Sequence, residues 1–337
     1  MPPLAESFRR SDSYQGDKNL NPLIGEQISV CLLTYNHVEV IESTLRSILD
    51  QTITGYEVIV SDDCSTDGTW ERILQLAAED ARLKPVRTPH NMGMPGNANF
   101  AVAQSERPYI ALLHHDDLYR KDLLEKWVSV LDRYSDAAFV FNPYGVFESD
   151  FIYQEPMPGS CIDGKWLLER YLFARWGCVV RGTAMIRREA WERVGGMREQ
   201  FGLLADVDMW MRLARRWSVG YVPEPVITVR YQRPSYYPDI YKGGSWSWQR
   251  QRFLYEIHAS NRLEYLNLNT PIGRLQWWGF RLKLNLESTK WLVYSFVKNK
   301  PEMITSSHES VTQYDLWPLR VLRDMLTTIY ARKGDIA

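Results

Sequence analysis

Short apolar segments alternate with amphipathic ones along the first third of the chain. The apolar segments 28–33, 56–60 and 109–113 are rich in strand-forming residues, and each ends at a cluster of polar side chains. Between them, apolar residues recur at helical spacing over 38–50 and 70–81. Strands that alternate with helices predict an α/β domain built on a parallel sheet.

The polar clusters at the three strand ends hold most of the residues suited to binding and catalysis. They are Thr34, Tyr35 and Asn36 after the first strand, Asp62 and Asp63 after the second, and His114, His115, Asp116 and Asp117 after the third. Because the carboxyl ends of parallel strands line one crevice of an open sheet, we expect these clusters to meet there.

The rest of the chain continues this pattern and then becomes helical. Apolar runs at 139–141 and 182–186 predict two further strands, and the intervening Pro, Gly and aromatic residues of 142–181 predict loops over the site. A helix is predicted over 206–214, and helical spacing dominates from about residue 245 onward. The expected units are a polar N-terminal extension (1–26), an α/β domain (27–240) and a helical C-terminal region (241–337).

Charge is distributed unevenly, although the whole chain carries a net charge of only -1. Residues 1–241 hold 26 basic and 33 acidic side chains, whereas residues 242–337 hold 14 and 8. The overall balance gives no general attraction to nucleic acid, so we expect no nucleic-acid partner. Two interpretations of the asymmetry stay open: a basic tail that faces an anionic partner or membrane surface, or a tail that packs on the acidic part.

The cysteine content and the apolar pattern indicate the cellular compartment of the protein. Cys31, Cys64, Cys161 and Cys178 show no C-x-x-C spacing and are too few for a disulfide framework. The N-terminal segment is polar, and no stretch approaches about 18 uninterrupted apolar residues, so we expect neither a signal peptide nor a membrane-spanning helix. These features favour a cytoplasmic location, with the inner face of the membrane as an alternative.

The adjacent carboxylates of Asp116 and Asp117 follow a buried strand, where a charge needs a partner. A divalent cation is such a partner, because Mg2+ and Mn2+ prefer carboxylate oxygens and share them with substrate phosphates. An isolated Asp-Asp pair is more often a loop or helix-capping feature. The second acidic pair, Asp62 and Asp63, at a neighbouring strand end favours the metal site.

Six motifs in a fixed order connect these residues to a known family. They are Ser29–Asn36, Val60–Thr69, Asn91-Met-Gly93, Leu113–Asp117, Gly195-Gly196 and Ala205–Arg212. In this order the chain resembles glycosyltransferase family 2 over about residues 27 to 235. The resemblance implies a GT-A fold, a Rossmann-like, mixed but mainly parallel sheet flanked by helices, here with a helical C-terminal extension.

The resemblance also implies an inverting enzyme that moves a sugar from a nucleotide-diphospho-sugar to a hydroxyl group. UDP- or dTDP-sugars are the expected donors, and Mn2+ or Mg2+ is the expected cofactor. The expected acceptor is a glycan or a polyprenyl-linked glycan in surface polysaccharide assembly.

Each candidate residue receives a role by resemblance. Donor nucleotide binding falls to Thr34, Tyr35, Asn36, Asp62, Asp63, Asn91, Gly93, His114 and His115. Metal binding falls to Asp116 and Asp117, with Gln232 as a weaker ligand. Asp206 matches the catalytic base, with Asp208 as the alternative base or an acceptor contact, and Arg181 and Arg230 are candidates for the diphosphate.

The chain departs from the family pattern at four positions. His114 stands where the D-x-D motif has its first Asp, and Ala205 stands where the E-D motif has Glu. Gln232 replaces a His that often ligates the metal, and a neutral amide is a poorer ligand than imidazole for Mn2+-like ions. Ala98 occupies a position near the donor loop where Arg is often found, so diphosphate contacts must come from elsewhere.

Two alternative functions remain beside the glycosyltransferase. The departures at His114, Ala205 and Gln232 motivate a non-catalytic relative that binds sugar nucleotides or glycans, although Asp116 and Asp206 are retained. A sugar nucleotidyltransferase would share the α/β core and the metal carboxylate. Such enzymes usually carry a Gly-rich, basic loop after the first strand. In this chain the segment 34–37 after the first strand is Thr-Tyr-Asn-His instead.

Aromatic and basic residues alternate over residues 274–298. The apolar residues are Trp277, Trp278, Phe280, Leu284, Trp291, Leu292 and Phe296, and the basic ones are Arg281, Lys283 and Lys290. An amphipathic helix of this composition would suit peripheral membrane contact. A helix that packs on the catalytic domain or on another subunit of a homo-oligomer is equally open, because an aromatic stripe at helical spacing is more often core.

Overall fold

The computed structural model describes residues 21, 23–230 and 244–298, together with seven single residues of the C-terminal segment. These are Tyr314, Leu316, Arg320, Val321, Asp324, Met325 and Thr328. The chain divides into two compact units, Met1–Ser235 and Tyr236–Ala337.

Strands and helices alternate through the first unit. In chain order the elements are β1 (Ile28–Thr34), α1 (Ile41–Leu49), β2 (Glu57–Asp62), α2 (Thr69–Glu79), β3 (Leu83–Arg87), α3 (Gly93–Val102), β4 (Tyr109–His114), β5 (Leu118–Tyr119), α4 (Leu123–Arg133), β6 (Ala137–Phe141), β7 (Tyr144–Val146), β8 (Ile152–Tyr153), β9 (Cys161–Ile162), α5 (Gly164–Leu167), β10 (Ala184–Arg187), α6 (Arg188–Val194), α7 (Ala205–Ala214), β11 (Ser218–Tyr221) and β12 (Ile227–Val229). The second unit holds α8 (Gly244–Tyr265) and α9 (Pro271–Val297).

Eight strands form one mixed sheet in the order β3-β2-β1-β4-β10-β6-β11-β9. Strands β1 to β4 run parallel to one another, and so do β6 and β11, whereas β10 is antiparallel to both of its neighbours. A second sheet of four short strands has the order β5-β12-β7-β8. The predicted fold class, a mainly parallel sheet flanked by helices, is confirmed.

The register of the central strands brings their carboxyl ends level. Thr34, the last residue of β1, pairs with Asp62 of β2, and Leu33 pairs with His114 of β4. All seven residues of β1 and all six of β2 are buried, so apolar packing on both faces fixes this register. The polar loops that follow these strands therefore start side by side.

The segment 142–181 is more structured than its composition predicts. It contains β7, β8, β9 and α5, and the short turn that follows α5 is a π-helix over Leu168–Leu172. The pattern also gave no sign of β3, because its sequence Leu-Lys-Pro-Val-Arg alternates poorly and contains a proline. Proline is tolerated there because β3 is the edge strand of the sheet.

The second unit is built around contacts between α8 and α9. Phe280, Leu284 and Leu292 of α9 are buried, and the Arg262 guanidinium of α8 lies 4.3 Å from the centre of the Phe280 ring. These residues thus pack inward, so the expectation that they form a membrane-facing stripe is wrong for them. No helix in the described part of the chain is long and apolar enough to cross a membrane.

Candidate active site

Three loops at the ends of β1, β2 and β4 are held together by direct hydrogen bonds. The backbone NH of Asp63 donates to the carbonyl oxygen of Thr34 (2.9 Å), and the NH of Asn36 donates to Ser65 Oγ (2.8 Å). On the other side, Nδ1 of His115 lies 2.7 Å from the carbonyl oxygen of Leu33. The structure therefore brings together the three polar clusters that the sequence places up to about eighty residues apart.

Asp63 connects the β2 loop to the start of α3. Its Oδ1 accepts hydrogen bonds from Thr88 Oγ1 (2.9 Å) and from the backbone NH of Met92 (2.8 Å). Asn91 caps the same turn by accepting from the NH of Gly93, whose φ of 69° is the left-handed conformation that glycine adopts readily. The predicted donor residues at 63, 91 and 93 thus belong to one connected loop.

Asp62 is directed into its own loop. Its Oδ2 accepts from the backbone NH of Ser65 (3.0 Å) and lies 3.1 Å from Nε of Arg87, while its Oδ1 is buried without a partner. Burial raises the pKa of Asp62, and the bond from Ser65 and the Arg87 charge oppose that rise. The contacts of Asp62 hold its own loop, whereas Asp63 reaches the turn before α3.

Two hydroxyl groups fix the turn that carries the acidic pair. Thr44 Oγ1 is 2.8 Å from the carbonyl oxygen of His115 and 2.9 Å from that of Asp117. The Tyr119 hydroxyl accepts from the NH of His114 (2.9 Å) and donates to its carbonyl oxygen (2.7 Å). Neither hydroxyl lies in a recognisable motif, so this support could not be predicted from the sequence.

The two carboxyl groups of the acidic pair differ in environment. Asp117 is fully buried beside Arg181, with guanidinium-to-carboxylate distances of 3.4 and 3.5 Å, and accepts from the backbone NH of Arg230. Burial raises the pKa of Asp117 to about 7 even though Arg181 opposes the rise. Asp116 is half-buried, and the neighbouring imidazoles of His115 and His114 outweigh burial and hold its pKa below the usual range.

Three of these side chains have the donor chemistry of a divalent-cation site. Ligand atoms of His114, Asp116 and Asp117 all lie within 4.8 Å of one another. Nε2 of His114 is buried and has no hydrogen-bond partner, and burial lowers the pKa of this imidazole to about 4, so it is neutral and able to ligate. One imidazole and two carboxylates suit Mn2+ or Mg2+. Gln232 lies outside the described residues.

Asp206 is the second residue of α7 and faces the same crevice. Its Oδ1 is buried without a partner, and burial raises its pKa to about 6 against the opposing effect of the Val207 NH and the Arg181 charge. A Cβ placed on Gly182 would lie 2.4 Å from Cε1 of His114 and 3.3 Å from Oδ2 of Asp206. Gly182 therefore lets the imidazole and the carboxylate approach the same stretch of backbone, a contact that the sequence did not indicate.

Asp208, the alternative base, is engaged elsewhere. Its buried carboxylate pairs with Nε of Arg212 (2.7 Å) and with Arg198 (3.5 Å). Arg212 in turn donates to the carbonyl oxygens of Val194 (2.5 Å) and Gly196 (2.7 Å). Asp208 thus ties α7 to the turn after α6, which is a structural position.

Replacing Asp208 with Asn is expected to destabilise the fold by about 3–5 kcal/mol, because it leaves the buried Arg212 charge without its carboxylate. Urea unfolding measures this loss. Glu189→Gln is the matched control, since its pair with Arg193 is exposed and should contribute less than about 1 kcal/mol. A fully stable Asp208→Asn protein without turnover would instead give Asp208 a chemical role.

The two candidate arginines occupy different sides of the acidic turn. Arg181 lies beside Asp117 and 5.3 Å from the centre of the Tyr144 ring. Arg230 stacks on Phe147 at 4.3 Å and donates to Ser43 Oγ (3.2 Å), so its guanidinium is held at these two residues. Of the two guanidinium groups, that of Arg181 contacts the acidic pair, whereas Arg230 contacts Asp117 through its backbone NH.

Several residues at or beside the strand ends carry a buried polar atom without a hydrogen-bond partner. These atoms are Thr34 Oγ1, Asp62 Oδ1, His114 Nε2, Thr183 Oγ1 and Asp206 Oδ1. Since nearly all buried polar groups in folded proteins are hydrogen-bonded, such a group is typical of a binding site. The crevice at the strand ends is therefore the candidate active site.

Comparison with known proteins identifies the family of this chain. Residues 29–195 match the family model described as Glycosyl transferase family 2. EpsE of Bacillus subtilis (strain 168), which is named as a glycosyltransferase, is 26% identical over 265 residues, covering 74% of this chain and 89% of EpsE. The Escherichia coli UDP-Glc:alpha-D-GlcNAc-diphosphoundecaprenol beta-1,3-glucosyltransferase WfgD is 27% identical over 125 residues, covering 37% of this chain and 48% of WfgD.

Among solved structures, residues 1–349 of S. aureus TarS in complex with UDP-GlcNAc superpose with a TM-score of 0.62 at 19% identity, covering 92% of this chain and 88% of that one. The fold is GT-A, the class to which glycosyltransferases of this architecture belong. Within that class, the chain belongs to glycosyltransferase family 2, with residues 29–195 as the matching part.

Proposed function

We propose that this protein is an inverting glycosyltransferase that moves a sugar from a nucleotide-diphospho-sugar to a hydroxyl of a glycan in polysaccharide biosynthesis. The observation that carries the proposal is the buried Asp206 carboxylate, with an unpartnered oxygen, facing the same crevice as the His114–Asp117 turn. A single displacement with inversion requires a base for the acceptor and a site for the leaving group in one crevice.

In the proposed mechanism, Asp206 accepts the proton of the acceptor hydroxyl. Its raised pKa of about 6 leaves it ionised at neutral pH and basic enough to accept a proton as the hydroxyl oxygen attacks the anomeric carbon. The diphosphate then leaves on the opposite side, towards the acidic turn. Arg181, which borders Asp117, is placed to contact the departing phosphate oxygens.

His114, Asp116 and Asp117 would hold the divalent cation, with Mn2+ or Mg2+ as candidates. When bound, such a cation neutralises the charge that develops on a diphosphate leaving group. In this scheme Arg181 and the cation compete for the carboxylate of Asp117. Metal binding would therefore favour its ionised form over the neutral one that burial favours.

The nucleoside of the donor would occupy the loops of β1 and β2. Asp63 is proposed to hydrogen-bond the base, Thr34, Tyr35 and Asn36 to line the pocket, and the segment from Asn91 to Gly93 to close it. His115 and Asp62 support these loops through their backbone contacts. A pyrimidine nucleotide such as UDP or dTDP is proposed, in keeping with the UDP-GlcNAc bound by TarS.

The donor proposal is tested by thermal unfolding with UDP-, dTDP-, GDP- and CMP-sugars, each with Mn2+ and with chelator. A ligand at about 100 times its Kd adds roughly 2.7 kcal/mol, so one nucleotide should raise Tm by several degrees only when metal is present. Asp116→Ala is expected to remove the metal-dependent part of the shift. Identical shifts for both proteins, with and without chelator, would contradict the metal assignment. If no nucleotide sugar shifts Tm, the result would favour the non-catalytic relative, with a ligand other than these four.

A lipid-linked acceptor is proposed because α9 exposes an apolar stripe. Its exposed residues recur at helical spacing and are Ile272, Leu275, Leu286, Val293 and Val297, flanked by the exposed Lys283 and Lys290. The stripe runs for about 37 Å along the helix. Apolar residues beside lysines suit an anionic membrane surface, where an acceptor like the diphosphoundecaprenol-linked one in the name of WfgD would be presented.

Flotation with phosphatidylglycerol liposomes is expected to carry the wild-type chain to the lipid fraction, and phosphatidylcholine liposomes to carry less. Leu275→Glu/Leu286→Glu should abolish flotation, because two charges then interrupt the stripe. Leu263→Glu on α8 is the matched control, since Leu263 is an exposed leucine outside the stripe. Wild-type protein that stays in solution with both lipids would contradict the membrane proposal.

A further inference from the structure

Aromatic and charged side chains, each at least partly exposed, form a row that begins at Arg181 and continues away from the acidic turn. The Arg181 guanidinium lies 5.3 Å from the centre of the Tyr144 ring, which stacks on Tyr153 with 5.1 Å between ring centres and 19° between planes. The Tyr153 hydroxyl donates to Glu155 Oε1 (3.3 Å), and Arg175 donates to both oxygens of that carboxylate. We call these five residues the aromatic row.

The sheet topology places the aromatic row and the donor loops on opposite sides of the acidic turn. Strand β10 is antiparallel to both β4 and β6, so the carboxyl ends of β4 and β6 lie at the same edge of the sheet. Tyr144 follows the end of β6, and Arg181 precedes the start of β10. The donor loops belong to β1 and β2, which lie on the other side of β4 in the strand order.

The proposed base lies on the same side as the aromatic row. Burial raises the pKa of Asp206 and the Arg181 charge opposes this rise, which places the first residue of the row near the base. Burial and the Asp206 carboxylate raise the pKa of the Cys178 thiol, and Cys178 contributes, after burial and Glu155, to the raised pKa of Tyr153. A molecule that offers a hydroxyl to Asp206 while the donor occupies β1 and β2 must therefore approach along this row.

The chemistry of the aromatic row suits a neutral sugar. The face of a tyrosine ring carries negative potential and attracts the CH groups that one face of a pyranose presents. A carboxylate and a guanidinium form charge-assisted hydrogen bonds, which sugar hydroxyls can accept or donate. Glu155 is paired with Arg175, and Arg181 with Asp117, so the row offers no net charge to attract an anionic sugar.

We infer that the aromatic row is the acceptor subsite, where a neutral pyranose of the acceptor glycan binds beside Tyr153 and presents a hydroxyl to Asp206. Its role in binding the acceptor rests on the proposed function, whereas its capacity to bind a sugar does not. Holding the hydroxyl at the base makes the reaction one within a single complex. Residues of the row are therefore expected to determine the acceptor KM and to leave donor affinity unchanged.

Saturation-transfer difference NMR of the full chain, without donor or metal, tests sugar binding. The probes are the methyl glycosides of glucose, galactose, mannose, N-acetylglucosamine, rhamnose and glucuronic acid. We expect a neutral glycoside to bind, with an affinity about tenfold lower in Tyr153→Ala and several-fold lower in Glu155→Gln. Tyr294→Ala, which removes an exposed tyrosine of α9 outside the row, should bind as the wild type does.

Three outcomes of this experiment would overturn the inference. They are a wild-type chain that binds none of the glycosides, tighter binding of the glucuronide than of every neutral glycoside, and equal affinity in Tyr153→Ala and the wild type. Since no donor is present, a failure of the glycosyltransferase proposal would leave these binding results unchanged.

A conservative variant separates the role of the ring from a general loss of folding. Tyr153→Phe keeps the ring and removes its hydroxyl, so its sugar affinity should stay within about twofold of the wild type. In transfer assays Tyr153→Ala should raise the acceptor KM about tenfold, whereas its Tm shift with the nucleotide sugar should match that of the wild type. If Tyr153→Phe binds as weakly as Tyr153→Ala, or if the acceptor KM is unchanged in Tyr153→Ala, the row is not the acceptor subsite.

Discussion

Asp206→Asn is expected to lower turnover by about a hundredfold to ten-thousandfold while the Kd of the nucleotide sugar stays unchanged. The change keeps the shape of the side chain and removes only its ability to take a proton, and general base catalysis contributes an effect of that size. The donor loops at β1 and β2 do not contact this residue through any hydrogen bond found in the described residues. Transfer assays and donor calorimetry on the same protein measure the two quantities.

The pH dependence gives a second criterion for the same residue. A base with a pKa of about 6 must be ionised to act, so wild-type turnover should fall about tenfold for each pH unit below 6 and level off above 7. The residual activity of Asp206→Asn should not show this fall in turnover below pH 6. Equal turnover in the two proteins, or the same acidic limb in both, would discard Asp206 as the base.

The same substitution should raise stability at neutral pH. The pKa of Asp206 is raised from 3.8 to about 6 in the folded chain, so the wild type loses stability as pH rises between these values. A shift of about two units corresponds to about 3 kcal/mol. Asp206→Asn should therefore gain up to that amount at pH 8 and little at pH 4, a trade of stability for activity at a functional site.

The location of the crevice could be predicted from the sequence because local patterns determine it. The three largely apolar segments that form β1, β2 and β4 are recognisable as buried strands, and their register places Thr34, Asp62 and His114 at one edge. Once the strands are parallel, their polar ends must meet. The residues at this edge could therefore be predicted from the sequence alone.

The contacts that support these residues could not be predicted from the sequence. Tyr119 fixes His114 through its hydroxyl, Thr44 fixes the turn from 73 residues away, and Gly182 lies against His114 and Asp206. No motif marks any of these residues for its role, because each acts through a tertiary contact. Only the packed structure specifies which hydroxyl or glycine faces which side chain.

The C-terminal helix α9 shows a different limit of sequence patterns. Apolar residues occur on two sides of this helix, so helical periodicity does not decide which side is buried. In the structure Phe280, Leu284 and Leu292 pack inward, while aliphatic residues such as Leu275 and Leu286 are exposed. Among its aromatic residues Phe280 is buried whereas Trp278 is exposed, so the size of a side chain does not decide its burial here either.

Gly182→Ala is expected to lower turnover by about a hundredfold or more. The new Cβ would lie 2.4 Å from Cε1 and 2.8 Å from Nε2 of His114, closer than atoms approach in packed proteins, so the imidazole must move. Tyr119 holds the backbone of His114 at both its NH and its carbonyl oxygen, which leaves little room to adjust. A displacement of about 1 Å in a catalytic group is enough for an effect of this size, and overpacking should cost about 1–3 kcal/mol of stability.

Two further variants separate this steric effect from a general loss of folding. Gly177→Ala changes a glycine in the same segment with no atom within 4 Å of its new Cβ, so activity and Tm should match those of the wild type. Gly182→Ala/His114→Ala removes the clash and should recover the stability lost in Gly182→Ala, but not the activity, because the imidazole is then missing. If Gly182→Ala alone retains wild-type turnover, the close approach of His114 and Asp206 to this backbone is unnecessary for catalysis.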